Sequence, residues 1–104
     1  MKDCCEHPDN LDLTPEGRDE ALAGYARALG HPARVKLLRQ IAGRRECISA
    51  ELVESVGLAQ STVSEHLRIL REAGLIEAEP QPPRTCYRPK PEAMARLRDL
   101  LNSL

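Results

Sequence analysis

Apolar residues recur at helical spacing in five stretches of the chain, and two further stretches read as short strands. The first stretch carries Ala21, Leu22, Tyr25, Ala26, Ala28 and Leu29. Thr14-Pro15-Glu16 precedes it with a capping hydroxyl, a proline in the first turn and an acid near the positive helix end. A helix is predicted from there to about Leu29, stopped by Gly30. His31-Pro32 opens a second, with Val35, Leu37, Leu38, Ile41 and Ala42 near the three-to-four spacing of a buried face. Gly43 to Cys47 reads as a loop, and Ser49 as the cap of a short third helix holding Leu52, Val53 and Val56. After the Gly57-Leu58 connection, Val63, Leu67, Leu70 and Ala73 mark a fourth helix, ended by Gly74. Residues 75–79 and 85–88 read as two short strands around a stiff tip, Pro80-Gln81-Pro82-Pro83-Arg84. Pro89 and Pro91 fence off a last helix with Met94, Leu97, Leu100, Leu101 and Leu104 on its apolar stripe.

A short helix, a glycine-containing turn and a longer helix make a helix-turn-helix. The hairpin behind them makes a wing. The expected fold is mainly α with a β-hairpin wing, a winged helix-turn-helix. Residues 1–13 are polar and without period, and read as a mobile arm in front of one domain over 14–104.

The polar face of the fourth helix changes the picture from fold to function. Gln60, Ser61, Thr62, Ser64, His66 and Arg68 lie off its apolar stripe. An ordinary solvated helix favours Glu and Lys there; short hydroxyl and amide groups are poorer helix formers and suit base edges and phosphates. These six residues, with Arg84 beside the wing, are the candidate contacts to double-stranded DNA.

Size and charge agree with this. The 104 residues fit one domain, with no Phe, no Trp and two Tyr. A core of Leu, Ile, Val and Ala buries little area per residue, so a homodimer is expected, using the first and last helices. Residues 1–20 carry seven acids and two bases, and the rest nine acids and thirteen bases. An acidic arm thus precedes a mildly basic domain, which permits DNA binding. No apolar run approaches the about 20 residues of a membrane span, and the N-terminus has no secretory pattern. The expected location is cytoplasmic, with no membrane partner. No nucleotide loop, Cys-x-x-Cys or Ser/Cys-His-Asp set is present, so an enzyme is not expected. No organic cofactor is expected either.

The four cysteines supply the remaining chemistry. In a reducing compartment they read as thiols or metal ligands. Cys4 and Cys5 are adjacent, a geometry that strains a disulfide but suits chelation of one soft ion. The nine-residue step from Cys5 to Thr14 reaches about 30 Å at most, enough to bring the pair to Cys47 of the same or a partner subunit. Three sulfurs without an obvious fourth donor suit As(III) or Sb(III), whereas Zn(II) prefers four ligands. Cys86, on a wing strand, reads as a packing residue; His7 is a candidate fourth ligand for Cd(II) or Zn(II).

Three segments together resemble the ArsR/SmtB metalloregulatory repressors: Ala28-Leu29-Gly30-His31-Pro32-Ala33-Arg34, Gly57 to Leu67, and Leu70-Arg71-Glu72-Ala73-Gly74-Leu75-Ile76. The resemblance covers roughly residues 15–104. It implies a homodimeric repressor that holds operator DNA when ligand-free and releases it on binding a metal ion or metalloid. The Cys-x-Cys site of some arsenic sensors is replaced here by Ser49-Ala50-Glu51, and the last helix offers Glu92 and Asp99 but no His for a zinc-type site. Other arsenic-responsive relatives use an N-terminal Cys-Cys pair with a Cys before the helix-turn-helix, which Cys4, Cys5 and Cys47 match. The family often has Ser or Thr where this chain has Ala59, and a Gly-rich basic wing tip where this one is Pro-rich. Two alternatives stay open: a Cd(II), Pb(II) or Hg(II) sensor using the same thiols, and a redox or persulfide sensor joining two cysteines such as Cys47 and Cys86.

Overall fold

The computed structural model describes residues 14–43, 48–49 and 60–104. The expected arm with Cys4, Cys5 and His7, the Cys47 loop, the short helix holding Leu52, Val53 and Val56, and the Gly57-Leu58 connection lie outside the described residues. The elements described are α1 (Pro15–Ala28), α2 (Pro32–Ala42), β1 (Ile48–Ser49), α3 (Gln60–Glu72), β2 (Ile76–Gln81), β3 (Arg84–Pro89) and α4 (Pro91–Asn102).

Local chemistry sets the helix ends. The Thr14 hydroxyl accepts the Gly17 N–H at 2.9 Å, satisfying one donor of the first turn of α1. His31 does the same for α2, its Nδ1 accepting the Ala33 N–H at 3.1 Å. The C-terminus of α1 is closed from a distance: Arg34 on α2 donates from its Nη1 to the carbonyls of Arg27 and Ala28, each at 3.3 Å. A cation there also meets the negative end of the helix dipole. Gly74 ends α3 at φ +85°. Its N–H reaches the Arg71 carbonyl at 2.9 Å and the Leu75 N–H reaches Leu70 at 3.1 Å, the paired bonds of a Schellman cap.

The sheet departs from expectation in two ways. Among the described residues it has three strands, in the order β1-β3-β2, all antiparallel. Ile48 and Ser49 pair with Tyr87 and Cys86, so Ser49 lies in a strand. Two residues carry no alternation to read, and only the partner strand defines them. The wing tip is also shorter than expected. Pro80, Gln81 and Arg84 lie within strands, paired Pro80 to Thr85 and Gln81 to Arg84, and the turn is Pro82-Pro83, joined by a cis peptide bond. Pro80 is accommodated because β2 is an edge strand, where a missing N–H costs no ladder bond on its open side.

The core lies where α2, α3 and the start of the wing meet. Leu37 and Ile41 of α2, Leu67 and Leu70 of α3, and Leu75 and Ile76 are fully buried. Burying each such side chain contributes about 1.5–3 kcal/mol. Tyr25 and Ala28 of α1 and Ala93 and Leu100 of α4 extend the same cluster, and Leu22, Leu29, Met94 and Leu97 pack on it partly buried. The stripes of α1 and α4 are therefore mostly used within the chain. Leu101 and Leu104 remain open, 52% and 89% exposed. Among the described residues no helix is long and apolar enough to cross a membrane.

Candidate nucleic-acid interface

Val63, Leu67 and Leu70 seat α3 against α2 and the wing, leaving the opposite face outward. On it Ser61, Thr62, Ser64 and Arg68 are exposed, as the sequence predicts for a reading face. Gln60 begins the helix, and its side chain lies outside what is described. Arg71, passed over in the sequence, is exposed as well. Its spacing from Ser64 and Arg68 puts the three on one ridge, a signal the sequence does carry.

Arg68 is held by its own helix. Its Nε donates to Glu65 at 3.1 Å, one Nη donates to Glu65 at 2.5 Å and the other to Glu72 at 2.8 Å. The hydrogen bond from Arg68 lowers the Glu65 pKa, and the two carboxylates raise that of Arg68 above its already high value. A guanidinium has five N–H donors, so two remain for a phosphate or a base edge. The carboxylates fix its direction, and with the exposed Arg71 they leave this part of the face close to neutral.

His66 is a correction. It was expected among the outward groups, yet only 8% of its surface is exposed. It stands three residues after Val63 and one before Leu67, inside the stripe that packs on α2. Its ring sits 4.7 Å from that of His31, tilted by 54°, and its Nδ1 is buried with no hydrogen-bond partner among the described residues. Burial lowers its pKa, with His31 and Arg34 acting in the same direction and Glu65 opposing. In this position His66 supports α3 from behind.

On the wing, Arg84 is exposed beside the Pro82-Pro83 turn, and Arg88 pairs with Glu79 across the two strands. Cys86 is buried on β3, as expected of a packing residue, and is also disulfide-bonded. Cys4, Cys5 and Cys47 lie outside the described residues. Among the described residues no group of three or more His, Cys, Asp and Glu side chains is placed to hold a metal ion.

Comparison with known proteins decides the family. Residues 31–78 match the family described as bacterial regulatory protein, arsR family. The chain is 33% identical over 75 residues to the HTH-type transcriptional regulator YgaV of Escherichia coli, covering 72% of this chain and 76% of that protein. The chain belongs to the arsR family. It is a transcriptional regulator with a DNA-binding fold and not an enzyme. It is also 40% identical over 74 residues to a Streptomyces lividans protein named "Probable mercury resistance operon repressor", covering 71% of this chain but only half of that one. Among solved arsR-type structures, the homodimeric winged helix-turn-helix DNA-binding domain from Mycobacterium bovis superposes with a TM-score of 0.64 at 28% identity, covering 81% of this chain and 77% of that one.

Proposed function

We propose that this arsR-family chain is a cytoplasmic repressor that binds operator DNA as a homodimer, reads it with α3, and releases it on binding As(III) or Sb(III) at Cys4, Cys5 and Cys47. The observation that carries the DNA part is the division of α3: a buried stripe through Val63, His66, Leu67 and Leu70, and an exposed face of Ser61, Thr62, Ser64, Arg68 and Arg71. Short hydroxyls hydrogen-bond base edges or phosphates, and the two free donors of Arg68 are the charged contact. Arg84 adds a positive group at the wing. The exposed Leu101 and Leu104, at the end of α4, are the apolar surface for a second copy.

The sensing part rests on donor chemistry. Three thiolates suit a trigonal soft ion, and a thiophilic inducer agrees with the mercury resistance named for one relative. The ion releases DNA only through a higher affinity for the released state; a coupling of about 1–3 kcal/mol loosens DNA by roughly five- to a hundred-fold. The same thiols also suit Cd(II), Pb(II) or Hg(II).

One observation favours the redox alternative. Cys86 is disulfide-bonded, and such a bond uses a second cysteine of the chain, where the remaining three are the proposed ligands. The oxidised form then leaves two thiols, too few for a three-sulfur site, so oxidation and ion binding compete. Operator release separates the readings. Serine at Cys4, Cys5 or Cys47 keeps DNA binding and abolishes release by As(III) or Sb(III), while Cys86→Ser responds normally. Release by peroxide that is lost in Cys86→Ser, with no response to any ion, establishes the redox sensor instead.

A further inference from the structure

We propose that the α2–α3 joint is a pH-sensitive seat for the reader helix, which holds α3 in place only while the buried His66 is neutral. The affinity consequence rests on the DNA reading above; the stability consequence does not.

The geometry makes the requirement from the surroundings of His66. His31 caps α2 by accepting the Ala33 N–H on Nδ1. That hydrogen bond fixes the His31 ring at the start of α2, against the face of α3 that carries His66. His66 faces it from α3 at 4.7 Å between ring centres, buried, with Nδ1 lacking a partner among the described residues. A proton on that nitrogen creates a buried charge with nothing to receive it. The neighbours make this worse. Arg34 of α2 is a permanent cation on the same side, its Nε also buried without a hydrogen-bond partner among the described residues. Glu65 of α3 is the opposing charge, but it is exposed and paired with Arg68, and its effect on His66 is the smallest of the four. His66 is accordingly held below the ordinary 6.5, by burial first and then by His31 and Arg34.

The sign follows from proton uptake. Between the ordinary value and the lowered one, the unfolded or unseated chain binds a proton at His66 and the seated form does not. Stability and seating are thus complete above about pH 6.5 and decline as pH falls through it toward the folded value. This is opposite in sign to a histidine on the DNA-facing side, where protonation adds a phosphate contact and tightens binding at low pH. Because only the seated fraction binds, the apparent affinity falls with that fraction.

The test uses the full chain between about pH 8 and about pH 5.5 at fixed salt, where histidine changes charge. Thermal midpoint and operator affinity are measured for the wild type, His66→Gln, His31→Asn and the double variant. Asparagine keeps a capping side chain without a titrating ring, and His7 is present in all four. The wild type is expected to melt lower and bind more weakly below about pH 6.5, by up to tenfold per pH unit, and the double variant to show a shallower slope in both. Wild-type affinity that rises on acidification, or a double variant with an unchanged melting slope, overturns the proposal. A pH-dependent melting point in a protein that binds no operator at any pH supports the joint and counts against the DNA reading. Should the variants fail to fold, the imidazole nitrogen resonances of wild-type His66 decide: titration below 6.5 supports the seat, and titration at or above it overturns it.

Discussion

Two glycines of this chain are expected to respond to alanine with opposite signs. Gly74 lies at φ +85°, and its N–H and that of Leu75 close the end of α3 onto Arg71 and Leu70. A Cβ there meets nothing within 4 Å, so the penalty of Gly74→Ala is confined to the backbone. A left-handed conformation costs an L-residue about 1–2 kcal/mol. The reduced freedom of the unfolded chain returns about 0.4–1 kcal/mol, leaving a net loss near 1 kcal/mol. Gly24 lies inside α1, and a Cβ there also meets nothing within 4 Å. Alanine at a helical position is worth about 0.5–1 kcal/mol over glycine. With about 4–8 °C per kcal/mol for a domain near this size, Gly74→Ala should melt several degrees lower and Gly24→Ala a few degrees higher. The double variant should return close to wild type, because the sites lie on different elements and share no partner. Far-UV circular dichroism on all four proteins at one concentration reads this directly. A Gly74→Ala protein as stable as wild type refutes the left-handed cap. A destabilised Gly24→Ala refutes the open space over α1.

Arg34→Met removes the two hydrogen bonds to the end of α1 and should cost about 1 kcal/mol by denaturant titration. It should also raise the His66 pKa, since Arg34 lowers it now; a titration unmoved by the substitution contradicts the placement of that cation. Leu101→Lys with Leu97→Lys should shift sedimentation from dimer to monomer, and a wild type already monomeric at micromolar concentration removes the proposed α4 interface.

Much of this fold was legible because its punctuation is local. Thr14-Pro15, His31-Pro32, Gly74 and Pro91 each act on a neighbouring turn, and the helices begin or end at them. What escaped is set by the partner in space. Ile48 and Ser49 are a strand only because β3 lies beside them. Pro80 reads as a breaker until β2 is known to be an edge. Arg34 acts on a helix six and seven residues behind it. His66 escapes for a different reason: its polar ring reads as an outward group, while its spacing from Val63 points it inward. The candidate interface was thus largely readable from Ser61, Thr62, Ser64 and Arg68, while the carboxylates that hold Arg68 follow from the three- and four-residue spacing of Glu65 and Glu72.

The central claim is that α3 reads DNA through its exposed face. Operator affinity of Arg68→Ala and Ser61→Ala, measured against salt on the folded protein, tests it most directly. Both variants should bind more weakly than wild type with unchanged far-UV spectra. If Arg68 contacts a phosphate, the slope of log affinity against log salt should shrink by about one. Wild-type affinity and slope in both variants would take α3 out of the interface and contradict the account.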